Sequence, residues 1–550
     1  MNDLISAFRE VFKINQLILT IPSTTAQLND LFQLNTDFVP IAMQKLLTGN
    51  INVGFVVSDC NIYLIGRNRS DVLKAANLMD LNLIFDCLNT TDILLIREVC
   101  ALLQTTLSVL QSNYVFNKYS ASIERSIRHP DDTVKSTILP LLEKLLADDS
   151  NVDIPLDLAC TIVDCLTSSN MSISYNAVKC VKYFRCGEIL SSTSIISKFK
   201  TIMAIDTKIR TRVYDILIHW AKSVDALALI SSKGLFSNLV TDIKYPDVIM
   251  QVVTVQMLIP LGITEYGFDY LNSIGIISGL YRLLSSSPIE LDNPSVVILN
   301  PIVLDFFIQI TQVRPFFIFT SYPKVFVVIY EMLKEEDDSL IGVAINAITN
   351  LASSWECKML LDNPTASVIL NYEDSDQLDM WSIFMIELSR IASSTKIELK
   401  AGAIQAITKI IQVEKGELSS RHDMIERTKK WYKQLKDNPI KNIVHASCIL
   451  PFLNIQQAGF EMFLKLAEQP WGQEEIVTCA PLMDLLFKDC PTDQIIVKNL
   501  KKMIIKTLLE SDTSKTTLSE ELLLRIQNND VIKSNEHSPQ PDVLVENIAI

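Results

Sequence analysis

The side chains able to carry chemistry in this chain are five histidines, eleven cysteines and a few adjacent acidic pairs. His129 precedes a proline at a polar turn, and His219 precedes Trp220 inside an apolar stretch. Both positions suit structural imidazoles better than general bases. His445 stands three residues before Cys448, a pairing that in an active site activates a thiol. No third group orients the imidazole here, so packing is the preferred reading. No histidine falls in an H-E-x-x-H pattern and no two cysteines form C-x2-C, which argues against zinc. The thiols are scattered singly, often in apolar runs (Cys100, Cys160, Cys165, Cys180, Cys448), as expected of buried reduced cysteines. Asp131-Asp132, Asp337-Asp338 and Glu474-Glu475 offer paired carboxylates for a metal or a proton. Read as helix starts, the same pairs cap free amides and complement the helix dipole. Phosphate-binding glycine loops, the dinucleotide fingerprint and the nucleophile elbow are all missing. The expectation is a protein that is not an enzyme, with no catalytic residue, no metal and no cofactor.

The elements that would hold these groups repeat. About every 45 residues, within the range of HEAT and armadillo repeats, a polar turn is followed by an apolar helix. Turns fall at Asn89-Thr90-Thr91-Asp92, His129-Pro130-Asp131-Asp132, Ser168-Ser169-Asn170, Asp206-Thr207-Lys208 and Tyr245-Pro246-Asp247. Others follow at Asp292-Asn293-Pro294, Glu335-Glu336-Asp337-Asp338, Ser393-Ser394-Thr395, Asp437-Asn438-Pro439 and Cys490-Pro491-Thr492-Asp493. Asp, Asn, Ser and Thr accept from the free N–H groups of a helix start, and proline holds φ near the helical value. After His129 the residues Val134, Ile138, Leu141, Leu142 and Leu145 form one stripe of a 3.6-residue period, which predicts a buried face. Similar stripes run through Val213, Ile216, Leu217 and Trp220 and through Ile341, Ile345, Ile348 and Ala352. A second helix opens on glycine in Ser232-Lys233-Gly234 and Ser273-Ile274-Gly275, similar to the opening found in armadillo repeats.

A pair of short helices cannot bury its apolar face alone, so neighbours must stack into a continuous core. The predicted architecture is all-α: a HEAT/armadillo-like α-solenoid, a right-handed superhelix of helix pairs. Residues 1–88 read as an N-terminal helical cap and 89–510 as the repeats. Residues 511–550 read as a polar segment ending in a disordered tail. Between Val413 and Asp437 a charged stretch with Arg427, Lys429, Lys430, Lys433 and Lys436 reads as a longer helix with a basic solvated face.

With 550 residues the chain outgrows a single core. Only 14 glycines fit short helical turns better than sandwiches or phosphate loops. A net charge of −14 argues against nucleic acid and repels anionic lipid. The most apolar tract, from Val296 to Tyr330, is broken by Pro301, Asp305, Arg314, Pro315, Pro323 and Lys324, and predicts a buried helix pair rather than a membrane span. The start, Met1-Asn2-Asp3, shows no secretory pattern. Trp220, Trp355, Trp381, Trp431 and Trp471 do not recur at one place in the repeat, and Asn350 stands alone as a candidate ladder asparagine, so core or interface packing is expected for the tryptophans.

Several segments, in order, resemble the 26S proteasome non-ATPase regulatory subunit 5 family. They are Arg128-His129-Pro130-Asp131-Asp132-Thr133-Val134-Lys135, Arg212-Val213-Tyr214-Asp215-Ile216-Leu217-Ile218 and Ser232-Lys233-Gly234-Leu235. Further on come Ile341-Gly342-Val343-Ala344, Ile397-Glu398-Leu399-Lys400 and Gln469-Pro470-Trp471-Gly472-Gln473. The resemblance implies a chaperone that binds the C-terminal domain of a proteasomal ATPase subunit, assembles the base of the 19S regulatory particle, and is not retained in the mature 26S proteasome. Implied partners are the proteasomal ATPase subunits of the 19S base and other base subunits, with no nucleic acid and no membrane. The chain is then monomeric outside its complexes and cytoplasmic, with a nuclear pool also allowed. The alternative is a generic armadillo/HEAT protein-binding scaffold or a nuclear-import-type adaptor. Which surface residues would bind the partner is left unassigned.

Overall fold

The structure is a computed structural model that describes residues 68–511 apart from 149–152, 245–246, 285–293, 364–369, 371–377, 414–417 and 489–493, together with residues 57, 58, 60, 61 and 64. Most of the expected cap, the tail after Ser511, and the turns at 245–246, 292–293 and 490–493 lie outside the described residues. Among the described residues every regular element is helical. The chain divides into two compact units, Met1–Asn238 and Leu239–Ile550. The repeat rhythm places boundaries at residues 88 and 510 and marks none at Asn238.

The first unit contains α1 (Arg69–Leu78), α2 (Leu81–Asp86), α3 (Ile93–Leu107), α4 (Ser112–Ile127), α5 (Asp132–Asp148), α6 (Leu156–Asp164), α7 (Met171–Lys182), α8 (Cys186–Ile189), α9 (Thr193–Ile205), α10 (Thr207–Trp220) and α11 (Val224–Ser232). Helices α3, α5, α7 and α10 pack in series as one layer, and α2, α4, α6 and α9 as a second. The hairpins α4–α5, α6–α7 and α9–α10 join the layers, so the repeating object is a helix pair. The turn chemistry behaves as expected. Asp92, Asp131 and Asn170 accept from the amides of Leu94 (2.9 Å), Thr133 (2.8 Å) and Ser172 (3.0 Å). Val134, Ile138, Leu141, Leu142 and Leu145 are all buried. Bonds between neighbouring repeats join residues 36 to 40 apart: Lys179 to Glu143, Trp220 to the Lys182 carbonyl, Arg125 to Asp86, and Ser122 to Asn82. With others that join residues 33 to 46 apart, they measure the repeat in space.

The second unit contains α12 (Leu239–Asp242), α13 (Val248–Gly262), α14 (Glu265–Ser273), α15 (Ile276–Leu283), α16 (Pro294–Thr311), α17 (Pro315–Ser321), α18 (Lys324–Lys334), α19 (Asp338–Leu351), α20 (Trp355–Leu361), α21 (Met380–Ser393), α22 (Ile397–Ile411) and α23 (Leu418–Tyr432). After a π-helical turn at Ile440–His445 come α24 (Ala446–Ile449), α25 (Leu453–Ala467), α26 (Pro470–Val477), α27 (Ala480–Phe487) and α28 (Ile495–Glu510). Its repeating object is a triplet: a short helix, a second helix, then a long one, as in α14–α15–α16 and α17–α18–α19. The long helices α13, α16, α19, α22, α25 and α28 pack in series. The expected helix pair between Val296 and Tyr330 is such a triplet's worth of chain, α16, α17 and most of α18. No single described helix is long and apolar enough to cross a membrane, and α17 and α18 are bent by 81° at their junction.

Glycine shapes the triplets at two kinds of place. Gly275, at φ +78°, makes the left-handed corner between α14 and α15, which only glycine adopts freely. Gly267 and Gly472 are each the third residue of a short helix, jammed against the preceding long helix. A Cβ on Gly267 would lie 2.0 Å from the Leu261 carbonyl oxygen, and one on Gly472 2.2 Å from that of Leu466. Leu261 and Leu466 occupy the same penultimate position of α13 and α25.

Candidate functional site

Several residues with chemical potential are taken up by the joints between repeats. The His129 ring lies with Nε2 3.2 Å from the Leu88 carbonyl oxygen, and its Nδ1 accepts from the Asp131 amide at 3.0 Å. This arrangement puts the ring proton on Nε2 and clasps one turn to the repeat before it. His219 is half-buried, and desolvation, aided by Lys222 and Lys182, holds its pKa below the usual 6.5. Among the described residues no hydrogen bond joins His445 to Cys448. The Cys448 thiol is buried under α25, where a Cβ on Gly459 would come within 3.2 Å of its sulfur, and burial pushes its pKa up. Burial likewise pushes Cys165 and Cys357 up to about 11, the opposite of an activated thiolate. None of the described cysteines is in a disulfide, and no group of three His, Cys, Asp or Glu among the described residues could hold a metal ion.

The segments that carry the family resemblance are joints too. Gln469 donates to the Ile411 carbonyl (2.6 Å), while its Oε1 accepts from Thr428 Oγ1 (2.9 Å) and Trp471 Nε1 (2.8 Å). Arg212 donates to the carbonyls of Leu166 (2.6 Å) and Ser168 (3.1 Å). The indoles of Trp220 and Trp381 donate to the carbonyls of Lys182 and Lys358. Core packing is therefore the role of these tryptophans, as expected.

Two expectations need correction. The stretch around Arg427 does form a helix, α23, but its basic residues do not form a merely solvated face. Arg427 and Lys430 reach the nearly inaccessible Asp362 (side chain 4% exposed), and Lys430 also pairs with Asp379 (1% exposed) at 2.7 Å. Trp431 Nε1 donates to Asp362 Oδ1 at 3.2 Å, and Asp379 caps α21 through the Ser382 amide at 2.9 Å. The buried carboxylates lie some 50 to 70 residues away in sequence, so local composition could not reveal them. The second correction concerns Glu474-Glu475. Asp131 and Asp337 cap helices as expected, with Ser339 N donating to Asp337 at 2.7 Å. Glu474 and Glu475 instead sit inside α26 beyond its first turn, and Glu474 lies 3.9 Å from Lys429.

The long helices keep one exposed face. In α13, α16, α19, α22 and α25 a polar residue, flanked by buried or half-buried ones, recurs at one register: Gln256, Asp305, Asn346, Gln405 and Glu461. The first four are exposed and Glu461 is half-buried. The same register in the first unit holds Gln104, Glu143, Lys179 and Asp215 on α3, α5, α7 and α10. There the charges pair sideways, Lys179 with Glu143 at 3.4 Å and Asp215 with Lys182 at 2.8 Å. Sequence reasoning missed this row, although a signal existed. Ala344-Ile345-Asn346-Ala347-Ile348-Thr349 and Ala403-Ile404-Gln405-Ala406-Ile407-Thr408 differ only in which amide breaks the apolar run. Asn350 is thus one turn from a row rather than alone. The first unit adds a wide-open groove along α9, lined by Thr193, Ser197, Lys200, Thr201 and Lys233.

Comparison with known proteins gives consistent matches. The family described as Proteasome non-ATPase 26S subunit matches residues 65–530. The 26S proteasome non-ATPase regulatory subunit 5 of Homo sapiens is 22% identical over 422 residues, covering 75% of this chain and 80% of that protein. The protein of the same name from Drosophila melanogaster is 21% identical over 409 residues, covering 71% and 74%. Among solved structures, an engineered protein covers 86% of this chain and 98% of its own, at 14% identity and a TM-score of 0.36. A designed armadillo repeat protein covers 49% and 98%, at 14% identity and a TM-score of 0.34. Scores this low carry no argument, and the repeat architecture rests on the helix packing described above.

Proposed function

We propose, from the premise that this chain belongs to the proteasome non-ATPase 26S subunit family, that it is a chaperone for assembly of the base of the 19S regulatory particle. Its role is proteasome-related, within a family of non-ATPase regulatory subunits rather than of catalysts. In the proposed mechanism it binds the C-terminal domain of a proteasomal ATPase subunit and is not retained in the mature 26S proteasome. The observation that carries the reading is the match across residues 65–530. The packing is consistent with it. His129 and the buried carboxylates of Asp362 and Asp379 serve joints between helices, and the exposed helix faces are the working surface of this reading. Binding alone would do the job, through steric exclusion and positioning, with no bond made or broken. The same reading carries a cytoplasmic and nuclear location and a monomer outside its complexes.

The test is native co-purification of the full chain from cells, with mass spectrometry of its partners and sedimentation to separate free base from complete 26S particles. ATPase subunits should co-purify in base-sized fractions, and the chain should be missing from 26S fractions. Recovery of no ATPase subunit, or tight association with the complete particle, would overturn the proposal.

A further inference from the structure

Two lysines without partners line the open groove of the first unit. Its walls are Thr193, Ile196, Ser197, Lys200 and Thr201 on α9 and Lys233, the residue that ends α11. The α9 residues are spaced three and four apart, which puts them on one face of the helix. No Asp or Glu lines the groove, in a chain whose 63 acidic residues outnumber its 49 lysines and arginines. Among the described residues Lys200 and Lys233 make no hydrogen bond or ion pair.

Neighbouring cations show the usual fate of a positive charge in this part of the fold. Lys198 pairs with Asp164 on α6. Arg210 donates to the Met203 carbonyl (2.9 Å), and Arg212 to that of Leu166 (2.6 Å). Those contacts tie segments of the chain together, a service that Lys200 and Lys233 do not perform. The hydroxyls of Thr193 and Ser197 are exposed and also make no hydrogen bond among the described residues, whereas Thr201 donates to the Ser197 carbonyl at 2.9 Å. Free donors therefore run along α9 from Thr193 to Lys200, about 10 Å at 1.5 Å per residue, and Lys233 adds a second positive charge from α11. Half-buried Ile196 gives a small apolar floor for the methylene groups of glutamate.

Donors spread in this way suit several carboxylates in a row. Bonds from an ammonium group to a carboxylate are charge-assisted, and hydroxyls strengthen them by donating to the remaining oxygens. A single phosphate group cannot reach donors so far apart, and the groove has no arginine to clamp one with paired N–H groups. Two lysines are too few to hold nucleic acid on a chain of net charge −14.

We propose that the α9 groove docks an acidic segment of another polypeptide, with Lys200 and Lys233 pairing with its carboxylates and Thr193 and Ser197 donating to them. At about 3.3 Å per residue, roughly three extended residues cover the run of donors on α9. The inference is independent of the proteasome reading, since it specifies the charge of the ligand and not its owner.

The probe is a pool of short peptides, half of whose residues are Glu or Asp, selected at low salt on the immobilised full chain. Winners are resynthesised and titrated by fluorescence anisotropy. They should bind the native chain and weaken as salt is raised. The double variant Lys200→Gln/Lys233→Gln should weaken them about tenfold, as expected for the loss of two solvent-exposed charge-assisted contacts. Replacing the peptide's Glu and Asp by Gln and Asn should weaken binding at least as much, a readout that needs no change in the protein. Lys144→Gln/Lys208→Gln removes the same charge from exposed sites outside the groove and should change binding less than about twofold. Circular dichroism checks that both double variants stay folded. No enrichment over a matching pool built with Gln and Asn would overturn the proposal, as would winners that ignore the Lys200/Lys233 variant or lose as much in the Lys144/Lys208 one. Inorganic phosphate that displaces the winners better than chloride of equal ionic strength would show an ion site instead. Self-association by light scattering that disappears in the Lys200/Lys233 variant would assign the groove to a second copy of the chain and overturn the proposal as well.

Discussion

The two compact units solve the same packing problem by different means. In the first, helix pairs are stitched together by bonds between residues 33 to 46 apart, many of them near the surface, such as Arg125 to Asp86 and Lys179 to Glu143. In the second, triplets are locked at deep points. There the carboxylates of Asp362 and Asp379 sit almost out of reach of water, and joints such as Gln469 tie three helices together. Many shallow contacts tolerate change one at a time, because each exposed pair is screened and weak. A few deep ones do not, since removing one partner leaves a polar group stranded. The division also separates two uses of the long-helix surface, occupied in part by its own ion pairs in the first unit and left without cross-helix ion pairs at the row in the second.

The sharpest way to break this contrast is Gly472→Ala. The added carbon would collide with the Leu466 main chain, which cannot move without shifting α25, so a loss on the order of 3–5 kcal/mol is expected in urea unfolding. A loss under about 1 kcal/mol would mean that the joint yields more easily than its geometry implies. Next comes Asp362→Ala, which strips Arg427, Lys430 and the Trp431 indole of a shared acceptor. Because both cations are partly exposed, the cost should be about 2–3 kcal/mol, below that of a fully buried pair. Hydrogen exchange should place the loosening around α20, α21 and α23.

Tyr432→Phe tests the second unit from the opposite side. Its hydroxyl is buried without a hydrogen-bond partner against Trp471, whose ring centre is 4.9 Å away, and burial pushes its pKa well up. Removing that oxygen should stabilise the protein by about 1 kcal/mol, and a destabilised variant would reveal a partner for it. The smallest effect belongs to the first unit. A double-mutant cycle on Glu143 and Lys179 should give a coupling of roughly 0.2–0.5 kcal/mol that fades with added salt. A coupling above about 1.5 kcal/mol would erase the distinction between shallow and deep stitching.

Much of this was legible in the chain itself, wherever the physics is local. Helix starts depend on a side chain and amides two or three residues away, so Asp92, Asp131, Asn170 and Asp337 announced their caps. Buried stripes depend on a 3.6-residue period, so Val134 to Leu145 announced their face. The order of motifs likewise pointed to the family that matches residues 65–530. Tertiary structure alone decided which charges are solvated. The basic run of α23 reads as a wet surface until Asp362 and Asp379 are brought to it from distant stretches of chain. It also decided that pairs give way to triplets along the chain, and that Asn346 and Gln405 share a register with three further helices. Those facts are relations between segments far apart in sequence, and stacking, rather than any local preference, sets them.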